Sequence, residues 1–250
     1  MIKKLLIVGC SHAAGFEING GFDSDTNRSK SFGNILAHRM DRKPINIAVG
    51  GASNQTITRN TLEYITDRHR EEDDLFVLIA WSESVRLEIP IIEKSKYQSY
   101  NLGNSSSDDF FETNNRYLMV NLSSVGKDIY QSIAVPQYQR FITENTCFME
   151  IYSANLVLML QNFFKSKNIE YMMCNTLHMF SDNEFMNVFK QNIDVKKYYM
   201  FDNNELSFWY RYKNLGFKNA NAKYWHHGED AHRLYADELF AFYNKNYVEN

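Results

Sequence analysis

Leu5 to Val8 is an unbroken run of branched apolar residues, the pattern of a strand buried on both faces. It stops at Gly9-Cys10-Ser11-His12, followed by two alanines and Gly15. A buried strand that opens into a turn of small residues belongs at the carboxyl edge of a parallel sheet, where open α/β folds keep their ligands. Glycine permits the sharp bend, and Ser11 is the side chain the bend presents. Cys10, between Gly9 and Ser11, is expected to turn inward as an inert thiol. His12 is expected at the surface or just behind the site.

The same rhythm repeats downstream. Phe32, Ile35, Leu36 and Met40 recur at helical spacing over Ser31 to Met40, with Ser31 as the cap. Ile45 to Val49 reads as a second buried strand, closed by Gly50-Gly51. Ser53 or Asn54 then caps a helix whose inner face is Ile57, Leu62 and Ile65. Leu75 to Trp81 is the third strand and Ile169 to Cys174 the fourth. Gln137 to Lys167 carries one long helix or two, and Asn19 to Lys30 reads as a loop. Gly228 to Asn244 is a closing amphipathic helix with Leu234, Leu239, Phe240 and Tyr243 inward. Strands alternating with helices at this spacing imply right-handed βαβ units. The expected fold is α/β, a three-layer α/β/α sandwich on a mostly parallel, flavodoxin-like sheet. A single domain over 1–250 is expected, with an irregular insertion at about 90–136.

Composition narrows the partners. A net charge of -3, with no basic run longer than Lys3-Lys4, gives no footprint for nucleic acid. No stretch approaches a membrane span, and the first apolar run is too short for a signal peptide. The 3 cysteines are odd in number, widely spaced and lack a CxxC pair, which suits reduced thiols in a cytoplasmic protein. His226, His227, Asp230 and His232 crowd one stretch but match no metal-ligand spacing, so neither a metal nor another cofactor is expected. The 18 Phe and 16 Tyr are enough aromatic surface for a core, a crevice or a homo-oligomer contact. Trp81 and Trp225 are expected as core or crevice walls.

Four turns can converge although they lie far apart in the chain: Ser11 after strand one, Gly51 after strand two, Trp81-Ser82 after strand three, and His226 before the last helix. Acyl transfer needs a hydroxyl nucleophile, an imidazole to take its proton, and donors for the developing oxyanion. Ser11, His226, the Gly51 amide and the Ser82 hydroxyl are of the right kinds. His226 is favoured over His227 as the base, from the register of the helix that follows. Arg86 can grip a substrate carboxylate or phosphate, or pair with Glu83 or Glu88.

These blocks resemble the SGNH (GDSL-like) hydrolases, esterases and acyl-transfer enzymes built on a three-layer α/β/α sheet. The family's Gly-Asp-Ser stands here as Gly9-Cys10-Ser11. Its Asn-x-Ala-x-x-Gly block stands as Asn46, Ala48 and Gly51, and its histidine block as His226 followed by Ala231-His232-Arg233-Leu234. Ala80-Trp81-Ser82-Glu83 with Arg86 looks most like SGNH-like proteins common in tailed phages, which would place the chain in a host cytoplasm. Two positions depart from the pattern. Ser82 replaces the oxyanion-binding Asn, for which Asn54 is a substitute. Lys223 replaces the triad Asp, leaving a backbone carbonyl, Glu229, Asp230 or Asp202 to orient the imidazole. The resemblance implies a serine hydrolase or acyl transferase acting on an ester or O-acyl group of a small molecule or acylated glycan. Its rivals are a binding module for a small polar ligand that has lost catalysis, and an interaction protein that oligomerises through the aromatic insertion at about 90–136.

Overall fold

In a computed structural model of the chain, β1 (Lys3–Gly9) lies inside a parallel sheet, between β2 (Lys43–Asn46) and β3 (Asp74–Trp81). The structure describes residues 2–21, 23–69, 73–90, 117–120, 129–181, 184–201, 203–220 and 225–249. With β6 (Glu170–Asn175) beyond β3, the strand order is β2-β1-β3-β6. That order is doubly wound, and its direction reverses between β1 and β3. The crevice outside the carboxyl ends of those two strands is therefore the natural ligand site.

Alternation along β1 explains the layers. Leu6 and Val8 join a core with Ile57, Ile65, Val157 and Phe164, from α4 (Asn54–Asp67) and α6 (Thr146–Ser166). Leu5 and Ile7 point the other way, into a core with Phe32, Leu36, Tyr235 and Leu239, from α3 (Phe32–Arg39) and α9 (Glu229–Tyr243). Successive strand side chains face opposite sides. A strand apolar throughout must therefore be covered twice, and each fully buried Leu, Ile or Val contributes roughly 1.5–3 kcal/mol. The result is the three-layer α/β/α arrangement.

Local signals fix the helix starts. Ser31 Oγ accepts from Asn34 N at 3.4 Å, and Ser53, not Asn54, caps α4 by accepting from Thr56 N at 3.1 Å. β2 starts and ends earlier than its apolar run, yet Ile47 N and Val49 N still donate to Ile7 O and Gly9 O, at 2.9 and 3.0 Å. Gly9 is required by close packing: a Cβ there would lie 2.6 Å from Ala13 Cβ and 2.8 Å from Ala80 O.

Several expectations are corrected. The stretch expected as a loop contains a short helix, α2 (Asp25–Ser29), whose cap Ser24 accepts from Asn27 N; five polar residues carry no apolar period to reveal it. The long helical stretch is two helices that begin earlier than expected, α5 (Ile129–Glu144) and α6, parted at Asn145. Leu234 is exposed, since Ala231, His232, Tyr235 and Leu239 form the inner face of α9. Trp225 is 71% exposed and forms no part of a core, whereas Trp81 is fully buried. Of the stretch expected as an irregular insertion, 91–116 and 121–128 lie outside the described residues. Its described parts are regular: Pro90 closes β4 (Leu87–Pro90), β5 (Tyr117–Val120) pairs antiparallel with β4, and the last residues start α5. Among the described residues no helix is long and apolar enough to cross a membrane.

Candidate active site

The turn after β1 is built before any chemistry is placed on it. Cys10 is extended (φ -94°, ψ -166°) and precedes the short helix α1 (Ser11–Ala14). Its buried Sγ lies 3.2 Å from Thr176 Oγ1, which donates to Trp81 O at 2.7 Å, so the ends of β1, β3 and β6 are tied together. Asn46 braces the turn from the other side. Its amide donates to Ala13 O at 3.0 Å and to Asn34 Oδ1 at 2.9 Å, and its Oδ1 accepts from Ala48 N at 3.1 Å. Ser11 starts α1, 8% exposed.

His226 Nε2 lies 2.8 Å from Ser11 Oγ. The other ring nitrogen, Nδ1, lies 2.8 Å from Glu17 Oε2. A carboxylate only accepts, so Nδ1 carries the hydrogen and Nε2 is left to accept from the Ser11 hydroxyl. Serine, imidazole and carboxylate are thus joined in one line, the geometry of a nucleophile with an oriented base.

Glu17 was not among the acids expected from the sequence. It follows α1 by a tight turn in which Gly15 is left-handed (φ 77°), and it is itself left-handed at φ 70°. A non-glycine residue in that region costs about 1–3 kcal/mol, a strain found mostly at functional sites. Its side chain is 2% exposed. The loop beyond it is clamped: Asn27 Oδ1 accepts from Asn19 N at 2.9 Å, and Asn27 Nδ2 donates to Gly20 O at 3.2 Å. Arg28, paired with Asp23, donates to Asn46 O and Ala48 O at 3.0 and 3.1 Å. The trace in the sequence is an acid between Phe16 and Ile18 just past the Ser11 turn, where a carboxylate is buried only with a partner. The acids considered instead are elsewhere. Glu229 pairs with Lys30 and Arg233, Asp230 is exposed, and Asp202, like Lys223, lies outside the described residues.

Of the adjacent histidines, His226 reaches Ser11 and His227 turns inward, its Nε2 donating to Trp209 O at 2.9 Å. Trp209 Nε1 donates to Trp225 O, and Ala220 N to His226 O, both at 2.8 Å, so the backbone around His226 is held on two sides. Burial lowers the pKa of His226 against the raising effect of Glu17, and the Arg86 charge lowers it further. His12, expected at the surface or just behind the site, is buried with its ring 4.7 Å from that of His226. Burial, then the His226 and Arg86 charges, hold His12 well below its usual pKa. His232 is pushed down to about 3 by burial, and its Nδ1 accepts from Phe32 N. The histidines therefore do not converge, and among the described residues no three metal-binding side chains cluster.

The remaining expected residues divide by what already holds them. Gly51 is left-handed (φ 71°) with open space beside its Cα. Asn54 is spent within the protein: its Oδ1 accepts from Ser82 N at 2.9 Å and its Nδ2 donates to Ser153 Oγ at 3.1 Å. It braces the end of β3 against α6. Ser82 Oγ is buried without a hydrogen-bond partner among the described residues. Gly9 pairs with Ala80, so Ser11 and Ser82 each stand two residues past that last pair, on neighbouring strand ends. Arg86 Nε donates to Glu83 Oε1 at 2.7 Å, while Glu88 pairs with Arg59 instead.

A family of unknown function, DUF6071, matches residues 19–116, a span that includes β2, α4 and β3 but neither Ser11 nor His226. No curated protein matches the chain. Among solved structures, the chain is similar to a carbohydrate esterase whose active site is described as having divergent catalytic and non-catalytic binding functions. Identity is 8% and the TM-score 0.47, over 98% of this chain and 66% of that one. It is similar to an acetyl xylan esterase from the rumen bacterium Butyrivibrio proteoclasticus at 10% identity and TM-score 0.44, over 97% and 64% of the two chains. A protein assigned to the lipolytic G-D-S-L family, from Desulfitobacterium hafniense, gives 10% identity and TM-score 0.33, over 96% and 99%. The chain spans a little under two thirds of the length of the two esterases.

Proposed function

We propose that the protein is a serine hydrolase or acyl transferase of the SGNH type, acting on an ester or O-acyl group through Ser11, His226 and Glu17. The observation that carries this reading is the unbroken line from Ser11 Oγ through His226 to Glu17 Oε2, with both links at 2.8 Å. His226 takes the hydroxyl proton at Nε2 as Ser11 Oγ attacks the acyl carbon. Glu17 holds the ring in the required tautomer and stabilises the imidazolium. The imidazolium then gives that proton to the departing alkoxide, leaving an acyl-serine. Water, or an acceptor alcohol in the transferase case, resolves the acyl-serine by the reverse proton path. Burial supports the role by keeping the imidazole unprotonated near neutral pH. The Gly51 amide and Ser82 hydroxyl are the proposed oxyanion donors, Ser82 because a buried hydroxyl without a partner has bonding capacity in reserve.

One observation favours the rival, a binding module: Asn54, the side-chain amide at this edge, is committed to Ser82 and Ser153. Hydrolysis of para-nitrophenyl acetate separates the two. The enzyme reading expects turnover that falls about 10⁴-fold or more in Ser11→Ala. Turnover that is absent, or unchanged in Ser11→Ala, would leave the binding reading.

A further inference from the structure

Arg86 stands in the turn between β3 and β4, past the strand end that neighbours the one carrying Ser11. Its side chain is 12% exposed, and a single bond anchors it, Nε donating to Glu83 Oε1 at 2.7 Å. That bond occupies the Nε side of the guanidinium. The fork formed by Nη1 and Nη2 has no protein partner among the described residues. Nor does either nitrogen count among the fully buried polar atoms lacking one, so each keeps some contact with solvent.

A guanidinium binds planar oxyanions best through two parallel N–H donors. With its Nε side fixed by Glu83, Arg86 holds its end fork ready, with little side-chain entropy left to lose on binding. The charge reaches the site: it opposes protonation of both His226 and His12. His12 packs its ring on that of His226 and has a buried Nδ1 without a partner among the described residues. With the neighbouring histidines held neutral by burial, Arg86 is the positive charge that acts on both rings at the serine edge. A purely structural Glu83–Arg86 pair does not require an unpaired fork.

We propose that Arg86 is a specificity-determining residue, and that the substrate is an ester carrying a carboxylate near the scissile bond, gripped by the Nη1–Nη2 fork while Ser11 attacks. This rests on the hydrolase reading and names the class of ester. The carboxylate can belong to either half of the ester, so the test uses both. On the alcohol side, para-acetoxybenzoate is compared with para-acetoxybenzamide. On the acyl side, the mono-para-nitrophenyl ester of adipic acid is compared with para-nitrophenyl hexanoate. In at least one pair the charged ester should show kcat/KM roughly 10- to 100-fold above its neutral partner. That ratio should shrink with added salt, fall to about one in Arg86→Gln, and be partly kept in Arg86→Lys, which retains the charge without the fork. A ratio near one in both pairs, or one that survives Arg86→Gln, overturns the proposal and leaves the hydrolase reading intact. Loss of all Ser11-dependent turnover in the wild type overturns both.

Discussion

The two edges of the parallel sheet hold polar groups in opposite states. At the amino edge a cavity of about 830 Å³ lies among Arg42, Asp74, Glu170, Lys197 and Tyr247. Two ion pairs are closed across it within the protein: Arg42 with Asp74 at 2.9 Å, and Lys197 with Glu170 at 2.8 Å. Lys197 also lies 5.0 Å from the Tyr171 ring centre and 5.6 Å from that of Tyr247. At the carboxyl edge Ser82 Oγ and His12 Nδ1 are buried without partners among the described residues, and the Arg86 fork is unpaired. Native structures pair nearly all their buried polar groups, so unpaired ones on the strand ends beside Ser11 have capacity for something other than the protein.

Substitutions can break that contrast. The largest effect is expected at Glu17. Glu17→Gln keeps the shape but removes the charge that stabilises the imidazolium and can turn an amide N–H toward Nδ1, which favours the wrong tautomer, and kcat should fall about 10²–10⁴-fold. The pH profile carries a sign as well. Activity needs neutral His226 and is lost as pH falls through its pKa. Glu17 raises that pKa, so its removal should move the acid limb of the residual activity to lower pH. A limb that stays in place or rises would show that Glu17 does not act on His226.

Ser82→Ala comes next. If the hydroxyl stabilises the oxyanion, kcat should drop about 10²-fold. The melting temperature should hold or rise, because the substitution removes a buried hydroxyl with no partner. A loss of stability with unchanged kcat would make Ser82 an ordinary structural residue. The smallest effect on activity is expected across the sheet. Arg42→Ala removes a mostly buried ion pair with Asp74 and should cost about 1–3 kcal/mol in a denaturant titration. The specific activity of the folded protein should stay within about twofold of wild type. A large loss of kcat there would erase the division between the edges.

The four strands of the parallel sheet, the caps Ser31 and Ser53 and the serine turn are legible in the sequence because each is a local pattern: an apolar run, a cap residue, a glycine break. His226 was legible over His227 only through the register of the helix that follows. Glu17 was not. Its role depends on a left-handed backbone at a non-glycine residue and on a loop clamped by Asn27 and Arg28, neither of which leaves a periodic trace. The exposure of Trp225 and Leu234 was missed for a related reason. An apolar residue beside a helix start or on a helix looks inward until the packing of its neighbours is known.

The central claim is that Ser11 is activated by His226, and a fluorophosphonate probe tests it most directly because it reports nucleophilicity without a known substrate. Mass spectrometry of the labelled protein should find one adduct, on Ser11, and labelling should be strongly slowed in His226→Asn and Glu17→Gln while both variants remain folded. No adduct on Ser11, or an equal rate of labelling in wild type and His226→Asn, would contradict the account.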